Sequence, residues 1–310
     1  MNPMINSLCE QFIQSRDTIK QTLKMSGTYI YPVCANLFCG TGKTAEREQL
    51  EACKKLLASK TSAFSTFRGA VHALTVCMLS LENAPEEKIS KVLNCYQHLK
   101  KEFLSSPALA MAAFFVPDDG DISEKAVRAK TLYRRMRDEH PFLTSSDDAF
   151  FAVLMAFSPK TDDQLIEDME ECYQQLKTRF GANNNIQTTA HVLALGEGDP
   201  AEKTGKMLEL FDAIAQTGLK YGKLYELPVL ASLSMIAPNA RQASADLLEA
   251  DEFLSKQKGY GFWGMGKKMR LMHAAMILSG MYSGQSHMNA AAISYVLYIL
   301  SLQRSTAAAN

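Results

Sequence analysis

Seven stretches of this chain fall into one register about 40 residues apart, and no other feature limits the fold as much. The anchors are Val33, His72, Met111, Phe151, His191, Pro228 and His273, with steps of 39, 39, 40, 40, 37 and 45. Each sits in a short apolar run, such as Val71-His72-Ala73-Leu74 or Phe151-Ala152-Val153-Leu154. A fixed period of this size marks stacked helical hairpins, because one helix pair cannot bury its apolar face without a neighbour. A second series follows in each unit: Tyr96, Tyr133, Tyr173, Phe211 and Phe253, the first four with Leu99, Met136, Leu176 and Ile214 three residues on. With a further aromatic beyond, such as Phe103 or Phe180, this makes one stripe along a helix. Lys256 interrupts the stripe in the fifth unit.

The expected fold is all-α, with six to seven stacked hairpins. The first helix of each pair is short and rich in Ala, Leu and Met; the second is longer and carries the charges. A helix that is apolar all round is enclosed and a striped one faces solvent, so the first helices form an inner layer and the second an outer one. Either an open α/α superhelix or a closed α/α toroid satisfies this. The expected pairs are 29–38 with 45–58, 66–82 with 85–103, 106–116 with 121–138, and 145–157 with 161–179. They continue as 184–195 with 199–217, 223–236 with 239–257, and 267–282 with 287–303. Residues 1–25 hold an N-terminal capping helix and 305–310 a frayed tail, within one helical-repeat domain over 1–310.

Composition removes several function classes. The 33 basic and 33 acidic residues leave no net field to hold a nucleic acid. Ala290 to Leu302, the best membrane candidate, is about 13 residues against the roughly 20 needed to cross a bilayer, so no membrane partner is expected. The charges of Glu10, Arg16, Asp17 and Lys20 break any signal-peptide pattern, and the seven scattered cysteines without a Cys-x-x-Cys pair read as reduced core thiols. Both point to the cytoplasm.

The motif look-alikes are weak. Gly40-Thr41-Gly42-Lys43-Thr44 suggests a nucleotide loop, but Leu37 stands where its first glycine belongs and no strand precedes it. Gly259-Tyr260-Gly261-Phe262-Trp263-Gly264 matches a dinucleotide fingerprint only in letters, with bulky aromatics where backbone approach is needed. In its place, Lys267 and Lys268 at the following helix start offer an anion seat beside Trp263. In His140-Pro141-Phe142-Leu143-Thr144-Ser145-Ser146-Asp147-Asp148, the two aspartates read first as helix caps and second as an acid pair. His72, His191 and His273 share one repeat position and could meet at a metal only if the ring closes. Core histidines explain them better, so no metal and no cofactor is expected.

Phe64-Ser65-Thr66-Phe67-Arg68-Gly69, the His140–Asp148 segment and Gly261-Phe262-Trp263-Gly264-Met265-Gly266 resemble a bacterial domain-of-unknown-function family, family 4003. The resemblance implies a bacterial, cytoplasmic protein and brings no catalytic residues. A lesser one, over Leu227 to Leu233, Leu247 to Lys256 and Gly259 to Gly264, is to the hairpins of protein prenyltransferase β-subunits and terpene cyclases. It points to a toroid and not to their chemistry, since their metal patterns are not matched.

The expected function is a helical-repeat binding protein that takes a peptide, protein or small-molecule ligand on its inner-helix surface. The alternative is an α/α-toroid enzyme, a transferase, lyase or hydrolase, with its site at the mouth formed by the inner-helix starts. Arg68, Asp147, Asp148, Trp263 and Lys267 lie near such starts and are the candidate ligand-binding residues.

Overall fold

Local chemistry places the helix boundaries. The computed structural model describes residues 2–24, 29–117, 121–261 and 264–282. Within them the chain forms α1 (Pro3–Leu23), α2 (Ile30–Asn36), α3 (Arg47–Lys60), α4 (His72–Leu81), α5 (Pro85–Glu102), α6 (Pro107–Ala112) and α7 (Ile122–Glu139). There follow α8 (Ala149–Ala156), α9 (Asp162–Phe180), α10 (Asn184–Leu195), α11 (Pro200–Gln216), α12 (Leu227–Ile236), α13 (Ala240–Ser255) and α14 (Lys267–Tyr282). No strand occurs among the described residues, so the fold is all-α. Thr161 and Gln164 form a reciprocal capping box at the start of α9, and Asp199 and Asn239 cap α11 and α13 through their side chains.

The inner-helix starts depart from expectation. Thr66–Arg68 is a separate 3-10 turn capped by Ser65, so α4 begins at His72 and not at 66. Ser146–Asp148 likewise forms a 3-10 turn ahead of α8. The Glu226 carboxylate accepts the Leu224 N–H at 3.2 Å, which holds 223–226 outside α12. In all three, a side chain near the start gives the backbone a local partner that competes with the helix. The expected helix at 287–303 lies outside the described residues, as does the tail.

The even-numbered helices are the enclosed ones. Every residue of α2 and α8 is buried, and so is the run from Leu271 to Ser279 in α14. The odd-numbered helices are striped: α9 buries Leu165, Ile166, Met169, Cys172, Tyr173 and Leu176 and turns Glu167, Glu171 and Gln174 to solvent. Even helices neighbour one another from α6 to α14, and odd helices from α1 to α13. The Thr66–Arg68 turn packs on both α4 and α6. An inner surface open along its length is therefore absent from the described helices; what solvent reaches is their ends.

The two ends of the described chain meet. α1 packs on α13 and α14, and α14 on α2. The backbone N–H of Asn2 donates to Glu249 at 2.6 Å. A Cβ placed on Gly40 would stand 2.1 Å from the Gly280 carbonyl oxygen, so the α2 and α14 ends touch backbone to backbone.

Basic side chains hold the carbonyl ends of four inner helices. Lys43 donates to the Leu81 carbonyl and Lys88 to that of Phe114, both at 3.0 Å. Arg128 donates to the carbonyls of Ala156, Ser158 and Lys160 and pairs with Asp162. Lys160 and Lys203 share the Gly196 carbonyl, with Asp168 between them. A cation at a helix C-terminus answers both the unpaired carbonyls and the helix dipole. Lys203 is buried, and burial together with Lys160 pulls its pKa below the ordinary lysine value.

Candidate functional site

The Ser145–Asp148 turn is built by its own side chains. Asp148 accepts the Ser145 N–H at 2.7 Å and Ser145 accepts the Asp147 N–H at 3.2 Å, the capping reading of these aspartates. Thr144 is not the cap: its hydroxyl donates to the Met136 carbonyl at 3.0 Å and accepts from Gln187 at 2.9 Å, tying α7 to α10. Asp148 does more than cap. Its second oxygen lies 3.3 Å from Nδ1 of His191, a buried imidazole on α10 whose ring packs on Phe151. The distance suits an ion pair, but the direction misses a hydrogen bond, and Nδ1 has no hydrogen-bond partner.

A second imidazole–carboxylate pair stands beside the first. His140 ends α7, and its Nε2 lies 2.7 Å from the Glu170 carboxylate of α9. The His140 ring sits 4.3 Å from the Tyr173 ring, centroid to centroid. Met136, His140, Glu170, Tyr173, Gln187 and His191 line one cleft whose interior is about 10 Å³, water-sized. Burial first, and then Asp148, raises the Asp147 carboxyl above the usual carboxylate range. The Tyr133 hydroxyl is raised too, by burial and then by Asp148. The cleft thus joins two carboxylate-backed imidazoles to an apolar floor of Met136, Ile166 and Met169.

The other candidates lie elsewhere. Arg68 is half-buried, donates to the Thr61 carbonyl at 3.5 Å and stands near His72. Lys267 is exposed at the start of α14, and Trp263 lies outside the described residues. The three repeat-position histidines have different partners. Burial, Lys54 and Arg68 lower the pKa of His72, while His191 faces Asp148 and His273 shares a 2.7 Å hydrogen bond with the Tyr260 hydroxyl. Among the described residues no three His, Cys, Asp or Glu side chains stand together as a metal requires. The nucleotide look-alike has a packing cause: Gly40 is at φ +75° against Gly280, and Lys43 is occupied by the α4 carbonyl end. In the dinucleotide look-alike, a Cβ on Gly264 would meet the Gly259 carbonyl oxygen at 2.1 Å, so close backbone contact explains that glycine. All seven cysteines are buried and free, and burial pushes the Cys9 thiol up to about 12.

Glu170, Tyr173 and Gln187 escape sequence reasoning as site residues. Glu170 and Gln187 adjoin apolar stripes, and only the packing of α7, α9 and α10 brings them to His140 and His191. The one available signal is a carboxylate three residues before the Tyr173 stripe.

Residues 17–304 match the model of a family described as "Protein of unknown function (DUF4003)". The chain belongs to the DUF4003 family. A curated relative, "Uncharacterized protein YeaA" of Bacillus subtilis (strain 168), is 30% identical over 107 residues, which is 34% of this chain and 32% of that protein. The chain thus matches about a third of the relative's length. No solved structure matches. Membership in DUF4003 carries no assigned residue roles, so the cleft rests on its own geometry.

Proposed function

We propose that this protein is a single-domain helical-repeat binding protein, closed as an α/α toroid, whose ligand seat is the cleft around His140. Contacts of α1 with α13 and α14 support closure. The enclosed inner helices move the seat from the inner surface to the loop end. The observation that carries the reading is the pairing of His140 with Glu170 and of His191 with Asp148 on adjacent hairpins around one cleft. The His191–Asp148 pair is buried and the His140–Glu170 pair part-buried; desolvating such pairs costs energy and adds little to stability, so their concentration at a solvent-reachable cleft marks a site. Glu139 and Glu170 are the carboxylates that line the cleft, and Asp148 stands behind His191. The ligand class is a small cationic group, such as the ammonium end of an amine, seated at the mouth of the water-sized cleft beside Glu139 and Glu170.

A thermal-shift screen of organic amines and other polar metabolites tests this, because a ligand that binds only the native state raises its stability. A hit should lose most of its shift in Glu170→Gln and His140→Ala. Hits that are unchanged in both variants would place the seat elsewhere. A second reading, the toroid enzyme, is favoured by the Asp147 carboxyl, which burial and then Asp148 raise above the usual carboxylate range, so that it stays protonated further up the pH scale than an ordinary aspartate. Turnover of a hit that is lost in Asp147→Asn while binding survives would separate the enzyme from the binder.

A further inference from the structure

Large apolar side chains of this protein are exposed at equivalent points of consecutive hairpins. Phe64, Leu104 and Phe142 are 101%, 91% and 96% exposed, and they lie in the connections leading to α4, α6 and α8. They are 40 and 38 residues apart. Leu224, in the connection to α12, is 52% exposed. Each of these connections runs from the end of an odd-numbered helix to the start of an even-numbered one, so all emerge at one end of the molecule. Scattered exposed apolar residues are ordinary, but a set in register at one end calls for a cause.

Exposed basic side chains accompany the apolar ones. Lys100 and Lys101 precede Leu104, Arg134 and Arg137 precede Phe142, and all four are exposed. Arg68 and Lys54 stand near His72, and burial first, then their field, lowers its pKa. Lys60 is paired with Glu86, and Glu102, Asp138 and Glu139 stand among these basic residues. The odd-helix starts carry both signs: Asp121, Asp162, Asp163 and Asp199 stand among the capping cations Lys88, Arg128, Lys160 and Lys203. The connection end thus sets exposed basic side chains beside the exposed apolar ones.

We infer that this end docks on the surface of an anionic lipid bilayer, with Phe64, Leu104 and Phe142 entering the headgroup boundary and Lys100, Lys101 and Arg137 facing the headgroups. A side chain standing almost wholly in solvent has no groove wall for a protein partner to complete. A fluid bilayer accepts such side chains at any spacing. Basic residues beside them add attraction to anionic headgroups that fades with salt. No described helix is long and apolar enough to cross a membrane, so the contact is superficial. The expectation of no membrane partner rested on the lack of a crossing segment, and the contact inferred here needs none. The inference does not rest on the reading of the His140 cleft, which lies at the same end, with Phe142 two residues from His140.

Co-sedimentation of the full chain with vesicles tests it. Phosphatidylcholine vesicles containing about one third phosphatidylglycerol should pull the protein down, and phosphatidylcholine alone should not. The triple variant Phe64→Ser, Leu104→Ser, Phe142→Ser should partition at least about tenfold less, with an unchanged melting temperature because all three sites are exposed. Lys100→Glu with Lys101→Glu, a surface change independent of the apolar set, should weaken partitioning several-fold and flatten its salt dependence. Absence of binding to anionic vesicles, or equal binding by the wild type and both variants, overturns the proposal. So does light scattering that shows the wild type as an oligomer and the triple variant as a monomer, which would assign the ridge to a second copy of the chain.

Discussion

His273 is enclosed on all sides, with one ring nitrogen on Tyr260 and the other without a hydrogen-bond partner. Burial, with the Arg16 cation adding to it, pulls its pKa from 6.5 down to about 3. The unfolded chain therefore takes up a proton near pH 6.5 that the folded chain refuses until about pH 3. The resulting stability is complete above the unfolded value and is lost as pH falls below it, at about 1.4 kcal/mol per pH unit. Urea midpoints measured from pH 7 to 5 should fall less steeply in His273→Phe than in the wild type; equal slopes would show that the imidazole protonates in place. At Asp148, replacement by alanine removes both the Ser145 cap and the His191 partner. The expected cost is about 1–3 kcal/mol, read as a shift of the urea midpoint. A change below about 0.5 kcal/mol, the range of neutral surface substitutions, would mean the turn holds without its carboxylate.

Among the elements, α9 shows how a stripe becomes a packing face. Tyr173 and Leu176 are buried, and Phe180 meets Phe211 with ring centroids 5.1 Å apart. Leu176→Ala should cost about 2–5 kcal/mol, since the enclosed site collapses only partly around the missing atoms. An unmoved denaturation midpoint would put the stripe on the wrong side. The cationic caps belong to the same scale. Arg128 serves the carbonyl end of α8 from α7, so it joins one hairpin to the next. Arg128→Met should cost on the order of 3 kcal/mol, because several acceptors lose their donor at once. Thermal unfolding of that variant, compared with the exposed control Arg134→Met, would isolate the effect.

For the whole molecule, the contact between Gly40 and Gly280 is the test of closure. Both Gly40 and Gly42 sit near φ +75°, but a Cβ meets the Gly280 carbonyl only at Gly40 and nothing within 4 Å at Gly42. Left-handed strain, roughly 1–2 kcal/mol, is common to both alanine variants. Gly40→Ala should lose a further 1–3 kcal/mol, approximately, from overpacking against α14. Equal midpoints for the two variants would show that the α2 and α14 ends do not touch in solution. Lys43→Ala, between them, should cost at most about 1 kcal/mol through the lost Leu81 contact. Calorimetry of the wild type should show no saturable nucleotide binding, because the lysine of the look-alike loop is already engaged.

Helices α1 to α14, the all-α class and the division into enclosed and striped helices were legible in the chain, because 3.6-residue periodicity and capping side chains act within a few residues of one another. Ser145 with Asp148 was legible as a cap for the same reason. The short starts at 66–68 and 146–148 were not, since a 3-10 turn and an α-helix use the same residues until the packing around them decides. What the sequence determined alone was local: which segments become helices, where they stop, and which face of each is apolar. Only the tertiary structure decided that His140 meets Glu170, that Asp148 meets His191, and that Phe64, Leu104 and Phe142 are left in solvent. Those outcomes depend on the offset between neighbouring hairpins, and that offset is set by the packing of many side chains against one another.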